Sequence, residues 1–512
     1  MKQMNWSGLY KKEDWLTVWA ALIIILIILT GITVKMPALK WTTGSEFERF
    51  CIKMAPKIDK LEIAAEEKSE TDLSLSILEL KNAIASNDRK GVVTACQKMG
   101  ATAMEVEDAS LYKSSAKLSR EIGSEAKNTP GKVIQPANLL WILFLCLVML
   151  ILSAVAFTLT GNRYLEIIRG FPVVFILALV AQFIAGNYTM LNFGMEYVIW
   201  ALILGLIISN IFGVPDWLRP AIRTEFYIKT GVVILGTGIL FNEIVTAGVY
   251  GIIQALLVVF VVWYSCFWIA RKLKVDDDFA AILSSAVSIC GVSAAIATAG
   301  AIKGDPKKLS YTTSIVLICA VPMLILQPII AKWLALPDLV AGAWLGGTLD
   351  TSGSVVAAGS LISETAMKTG VIVKMSQNVL IGVAAFILSI VWAMKSKPNQ
   401  EGTPEKTGIL EIWYRFPKFV LGFIATSLLF SFLVDPKLVE TTKPALTGIR
   451  NWWFALAFVS IGLETRFSEL AKMGKGRPAL AFVSAQVFNL FWTLLLAWLI
   501  FGGVLFPVPA LN

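Results

Sequence analysis

The sequence predicts an all-α polytopic membrane protein with inverted repeats and two discontinuous or re-entrant helices, plus a small extracytoplasmic helical bundle. Three observations lead there. Of 512 residues, 56% are hydrophobic and 16% charged, with a mean hydropathy of +0.71. Uncharged runs such as 16–34, 138–160 and 171–195 approach or exceed the ~20 residues a spanning helix needs. Two hydroxyl-rich stretches of small residues, Ser288-Ile-Cys-Gly-Val-Ser-Ala-Ala295 and Asp350-Thr-Ser-Gly-Ser-Val-Val-Ala-Ala-Gly359, interrupt long apolar runs in the same way. Irregular backbone survives at membrane depth only when it is buried in protein or lines a watery cavity.

The elements follow in chain order. The run 16–34 comes after Lys11 and Lys12 and has no A-x-A-like site behind it, so residues 1–35 read as an uncleaved anchor. Residues 36–135 form a soluble insertion. Leu73, Ile77, Leu80 and Ile84 recur at helical spacing, and Ser69 with Asp72 resembles a capping box. Further helical patterns surround 92–99 and 111–122, giving a bundle of roughly three or four helices. An anchor that starts at a basic end places this bundle outside the cytoplasm, where Cys51 and Cys96 could form a disulfide.

Spanning helices are expected near 138–160, 167–186, 194–212, 226–247 and 248–270. The first interruption falls at 279–302, a helix at 309–332 and the second interruption at 340–360. Helices near 369–394, 416–434, 449–470 and 477–501 complete the chain. Residues 136–394 are thus the first part of the membrane domain and 411–512 the second. The segment 395–410, with Pro398, Gly402 and Pro404, is a cytoplasmic linker.

The net charge of +9 is explained by topology. Basic clusters such as Arg219/Arg223/Lys229 and Arg271/Lys272/Lys274 flank apolar segments, as the positive-inside rule describes, and argue against nucleic-acid binding. The chain contains no histidine, which removes the usual metal ligand and proton shuttle. No phosphate-binding G-x-x-x-x-G-K-[ST] motif or nucleophile–base pair stands out, so neither an enzyme, a cofactor nor ATP-driven pumping is expected.

Internal similarity points to duplication. Gly291 and Gly353 lie 62 residues apart, and at that offset Ala295 faces Ala357 and Val321 faces Val383. A second pair, Gly236-Thr-Gly-Ile-Leu-Phe-Asn-Glu243 and Gly462-Leu-Glu-Thr-Arg-Phe-Ser-Glu469, is offset by 226 and extends to Gly248 and Gly474. Leu204-Gly205 resembles Leu421-Gly422 just upstream. Lys303, Lys307 and Lys308 fall on the cytoplasmic side only if the first interruption dips in and returns. Re-entrant elements entering from opposite faces also place every matched pair in opposite orientation.

A helix that begins inside the membrane exposes unpaired backbone N–H groups and the positive end of its dipole. Ser288, Cys290, Gly291 and Ser293 are candidates for one such end, and Thr351, Ser352, Gly353 and Ser354 for the other. The alternative is that these hydroxyls bond to carbonyls one turn back. Asp350, at membrane depth, should be protonated, paired or wet. It is the candidate for ion coupling, with Lys374 as a possible partner. Lys374, Gln377 and Asn378 share a helix face, so Lys374 and Asn378 join the ion-coupling set unless Lys374 snorkels outward. Glu243 and Glu469 read as interfacial, whereas Glu464 and Arg466 lie too near a helix boundary to assign.

Residues from about 163 to 512 resemble the YeiH-like membrane proteins, a family labelled sulfate exporters. The matching pieces are Lys229-Thr-Gly-Val-Val-Ile-Leu-Gly236, Ser288-Ile-Cys-Gly-Val-Ser-Ala294 and Val355-Val-Ala-Ala-Gly359. The resemblance implies an inverted-repeat transporter related to cation–proton antiporters and anion transporters. Asp350-Thr351 stands where many members carry a His-Glu pair, which makes Asp350 the natural replacement. The anchor and the insertion lie outside the resemblance.

The leading expectation is a secondary transporter of a small inorganic or organosulfur anion, such as sulfate, sulfite or a small sulfonate. It would lie in the bilayer of a bacterial inner membrane and be coupled to protons or sodium by alternating access. A cation–proton antiporter is the first alternative, and a membrane sensor whose bundle binds ligand the second. A homodimer is one admissible assembly.

Overall fold

A computed structural model describes residues 12–31, 35–106, 108–192, 195, 197–239, 241–395, 417–466 and 476–509. The linker beyond Lys395, Glu469, Gly474 and the side chain of Glu243 lie outside the described residues. Among the described residues, eight helices are long and apolar enough to cross a membrane by length and composition. The all-α polytopic class therefore holds. The chain divides into two compact units, one of residues 35–148 and 179–200, the other of 1–34, 149–178 and 201–512.

In the larger unit, α1 (Glu13–Leu29) is not a free-standing anchor, because Leu16, Ala20, Ile24 and Ile28 are buried. The smaller unit carries the helical bundle: α2 (Gly44–Glu67), α3 (Thr71–Ala85), α4 (Arg89–Thr102) and α5 (Ala109–Lys127). Leu73, Ile77 and Leu80 are buried in its core as their spacing requires. The capping box forms elsewhere than expected. Ser69 adopts a positive φ of 59° and Glu70 precedes α3 without a side-chain cap, whereas an N-cap needs extended backbone. Thr43 has it (φ −70°, ψ 168°) and exchanges hydrogen bonds with Glu46 at the start of α2. Cys51 and Cys96 are both buried free thiols, so the disulfide is not formed. Burial pushes Cys51 up to about 11 and Cys96 up to about 12.

The strand-like Trp41 locks this unit together. Its N–H donates to Gly186 O (2.9 Å), its carbonyl accepts from Tyr188 N (3.1 Å), and its indole donates to Phe183 O (2.8 Å). A Cβ on Gly186 would overlap the Leu39 carbonyl, so only glycine permits this approach.

The long apolar helices α6 (Pro136–Leu159) and α7 (Tyr164–Ala185) follow. In the larger unit, α8 (Tyr197–Ile207) continues into a π-helical turn at Ile208–Phe212. The helix α9 (Thr224–Leu235) ends in a 3₁₀ turn at Gly236–Gly238, and α10 (Phe241–Lys272) follows at once. The expected break at 247/248 is thus displaced: Gly236 and Gly238 stop the helix, and Gly248 does not.

Two helical pairs come next, α11 (Asp277–Ser285) with α12 (Gly291–Ile302), and α14 (Asp338–Thr348) with α15 (Ser352–Ser360), separated by α13 (Pro306–Trp333). The rest is α16 (Glu364–Lys395), α17 (Lys418–Leu428) with a π-helical turn at Leu429–Leu433, α18 (Pro436–Glu464) and α19 (Arg477–Phe501). The helix α18 begins well before the expected 449, because Asp435 caps it and Pro436 occupies its first position.

The matched halves meet in reciprocal contacts. Gly205 of α8 packs on α18, its missing Cβ 2.8 Å from the Cα of Gly462. Gly236 at the end of α9 packs on Phe423 and Thr426 of α17. The π-helical turns set the register between α8 and α17 at 221 residues, so Gly205 corresponds to Thr426 rather than Gly422.

Candidate functional site

The stretch 277–302 is long enough to span, yet it folds back. A straight helix of its 26 residues would be about 39 Å long. Instead Lys308 Nζ lies 2.5 Å from Asp276 Oδ1, and the rings of Phe279 and Tyr311 are 5.5 Å apart. The start of α11 and the start of α13 therefore sit side by side. At the tip, the chain loosens into a π-helical turn at Ala286–Cys290 and reverses at Gly291, whose φ of 23° and ψ of −107° suit glycine alone.

The second pair folds back too. Gly342 lies against Ala366 and Gly346 against Gly370, so α14 runs parallel to α16. Gly359 lies against Met367 and Val355 against Gly370, so α15 runs antiparallel to it. The two hairpins are rooted at opposite ends of α13, as an inverted repeat requires. Their helices start 61 residues apart, one less than the sequence alignment.

The tips meet. A Cβ on Gly291 would lie 3.0 Å from the Cβ of Asp350 and 3.1 Å from its carbonyl oxygen. Gly353 faces Ile228 of α9 and Ile461 of α18. Folding back frees carbonyls at the ends of α11 and α14, and side-chain donors meet several carbonyls of both helices, since an unmet buried carbonyl costs about 1–3 kcal/mol. Asn489 Nδ2 donates to Val287 O (3.3 Å), Gln377 Nε2 to Ser288 O (2.8 Å) and Lys374 Nζ to Ile289 O (2.7 Å). On the second hairpin, Gln254 Nε2 donates to Ala343 O (2.8 Å) and Gln486 Nε2 to Thr348 O (2.9 Å). Gln377 Nε2 also reaches Gly347 O (3.3 Å), so α16 straps both tips.

The expected site residues divide. Cys290 and Gly291 are buried at the first tip, and Gly353 and Ser354 at the second. Ser288 is turned back on its own helix, donating to Ser284 O (2.7 Å). Ser293 is exposed on the same face of α12 as Ile296 and does not join the tips. Ser288 departs from the expected ligand set because its hydroxyl bonds a carbonyl one turn back, and Ser293 because it lies on the exposed face of α12. Thr351 caps α15 by accepting from Ser354 N (3.0 Å), and its hydroxyl also bonds Ser354 Oγ (2.8 Å). Ser352 Oγ accepts from Asn378 Nδ2 (3.3 Å).

Asp350 is 2% exposed, and its Oδ2 has no hydrogen-bond partner. Lys374 is 1% exposed and does not snorkel. Its hydrogen bonds go to Ile289 O and Gln377 Oε1 (2.8 Å), so it serves the first tip rather than clasping Asp350. Lys229, expected as a topology marker, forms ion pairs with Asp14 (2.9 Å) and Glu225 (3.3 Å). Glu464 accepts from Thr224 Oγ1 (3.0 Å) at the end of α18.

The sequence reading passed over Gln254, Gln327, Gln486 and Asn489. The signal was there: each is an amide within an apolar run, and polar side chains at membrane depth mark sites.

The family model described as "Conserved hypothetical protein 698" matches residues 169–481. A UPF0324 membrane protein of Rhodopirellula baltica is 35% identical over 512 residues, covering 98% of this chain and 91% of the relative. One from Nitratidesulfovibrio vulgaris is 39% identical over 366 residues, covering 69% of this chain and 62% of the relative. Another from Nitrosomonas europaea is 34% identical over 347 residues, covering 59% and 70%. No solved structure matches. The motifs, the match over residues 169–481 and the relatives agree: the chain belongs to the UPF0324 membrane protein family, to which the YeiH-like resemblance pointed.

Proposed function

We propose that this protein is a secondary transporter of a small anion, such as sulfate, sulfite or a small sulfonate, coupled to protons or sodium by alternating access. The observation that carries the reading is the meeting of two helix N-termini, α12 and α15, from hairpins rooted at opposite ends of α13. The first N–H groups of a helix have no intrahelical partner, and the dipole end beside them favours negative charge. Side-chain donors meet carbonyls of both hairpins, and Thr351 meets one amide of α15, at Ser354, which leaves the remaining first-turn amides to serve an anion in this reading. Asp350, beside both, is the coupling group in this reading. The reading places the protein in a bacterial inner membrane, and the basic flanks support a helical insertion outside the cytoplasm.

A cation–proton antiporter is the second reading, favoured by the unpartnered Asp350 Oδ2. Counterflow of labelled sulfate, sulfite and small sulfonates in proteoliposomes, with and without pH and sodium gradients, decides between them. Uptake of one of these anions is expected. No anion uptake alongside robust pH-driven sodium exchange would reverse the order. Asp350→Asn should leave uncoupled anion exchange in a carrier and abolish all exchange in an antiporter.

A further inference from the structure

We propose that the second hairpin tip is a binding site for a monovalent hard cation of the sodium class, ligated by Asp350, Gln327, Gln486 and Asn378. Four buried acceptor oxygens have no partner there: Asp350 Oδ2, Gln327 Oε1, Gln486 Oε1 and Asn378 Oδ1. They belong to one locus. Gln327 donates to Thr348 Oγ1 (2.5 Å) and Gln486 to Thr348 O, two residues before Asp350. Asn378 donates to Ser352, two residues after it.

The Gln486 amide orientation is chemically determined. Thr348 O can only accept, so the Gln486 NH₂ must face it and its oxygen must face away. Thr348 Oγ1 donates to Trp344 O (2.7 Å) and accepts from Gln327. Rotating the Gln486 amide cannot remove its orphaned oxygen.

A cation serves such a set of acceptor oxygens directly, since it has no lone pairs to repel them. A proton satisfies Asp350 alone, since the amide oxygens do not take one up. A hard cation takes several oxygen ligands at once and matches one carboxylate with neutral amides. A divalent ion is poorly served: among the described residues no cluster of three or more His, Cys, Asp or Glu exists. The inference deepens the transporter reading and rests on it for the role of the bound ion in coupling. The amide ends of α12 and α15 and this oxygen set then lie side by side, so each bound ion offsets the charge of the other.

The test is equilibrium binding of ²²Na⁺ to the full chain in lipid nanodiscs, competed with NaCl or choline chloride at constant ionic strength. Saturable binding displaced by NaCl and not by choline chloride is expected. Asp350→Asn should abolish it, and Gln327→Leu should raise the half-saturating concentration at least about tenfold. Should Asp350→Asn fail to fold, Gln327→Leu and the wild-type competition still decide. Absent saturable binding, or binding untouched by Gln327→Leu, overturns the proposal. Sodium binding without anion counterflow supports this site while removing the anion reading. Anion exchange identical in sodium and choline, with no saturable ²²Na⁺ binding, removes the site and leaves the carrier.

Discussion

Replacing Gly291 with alanine probes the tip contact directly. The residue sits at φ 23°, ψ −107°, where an L side chain is strained by about 1–3 kcal/mol. The new methyl would also lie 2.6 Å from Val316 Cγ1, 3.0 Å from Asp350 Cβ and 3.1 Å from Asp350 O. Val316 is β-branched and fully buried, so it cannot swing aside, and overpacking of this kind costs about 1–3 kcal/mol. Together the two terms predict a loss of about 2–6 kcal/mol, or a forced separation of the tips. Val316→Ala in the same chain removes the nearest contact and leaves the backbone strain and both Asp350 contacts. The double variant should therefore recover only part of the loss, with a coupling of about 1 kcal/mol or more. Reversible unfolding in mixed micelles gives the stabilities, and proteoliposome exchange reports the site. If Gly291→Ala matches the wild type in both, the tips do not meet as described.

Three further outcomes test other parts of the molecule. Gly186→Ala should push the Leu39–Trp41 segment off its hydrogen bonds, so the Trp41 and Tyr188 amides lose hydrogen-exchange protection; unchanged protection would refute the close approach. Burial raises the pKa of Glu46, but hydrogen bonds from Thr189, Thr43 and Asn187 outweigh it and lower the carboxyl from its ordinary 4.5 to about 2. A depressed carboxylate contributes stability that is fully present above pH 4.5 and is lost as pH falls toward 2, here about 3 kcal/mol at most. Glu46→Gln should lower exchange protection of the insertion at neutral pH and flatten its acid dependence over that window; an unaltered acid transition would count against the assignment. Lys374→Met strands Ile289 O and Gln377 Oε1, so it should destabilise by about 1–3 kcal/mol per orphaned group, and wild-type unfolding behaviour would show that Lys374 is not the strap of the first tip.

Composition and periodicity alone determined the membrane class, the separate helical insertion and the two interruptions. Those properties are carried by many residues in runs, and the bilayer's lack of hydrogen-bonding partners leaves few other folds. The loop charges around Lys303–Lys308 also pointed to a returning first hairpin, and the Lys308–Asp276 pair realises it. Local chemistry was less readable where one pattern occurs at more than one helix start. Ser69–Asp72 and Thr43–Glu46 both carry a capping pattern, and backbone conformation selected the second. Ser288 turned its hydroxyl to Ser284 O and Ser293 fell on the exposed face of α12, which depends on how that helix packs. Only tertiary structure brought Asp350 beside Gly291, turned Lys374 toward Ile289 O, and gathered Gln327, Gln486 and Asn378 around one tip from three helices. Those placements are properties of which carbonyls the folded chain leaves open, and no single segment contains that information.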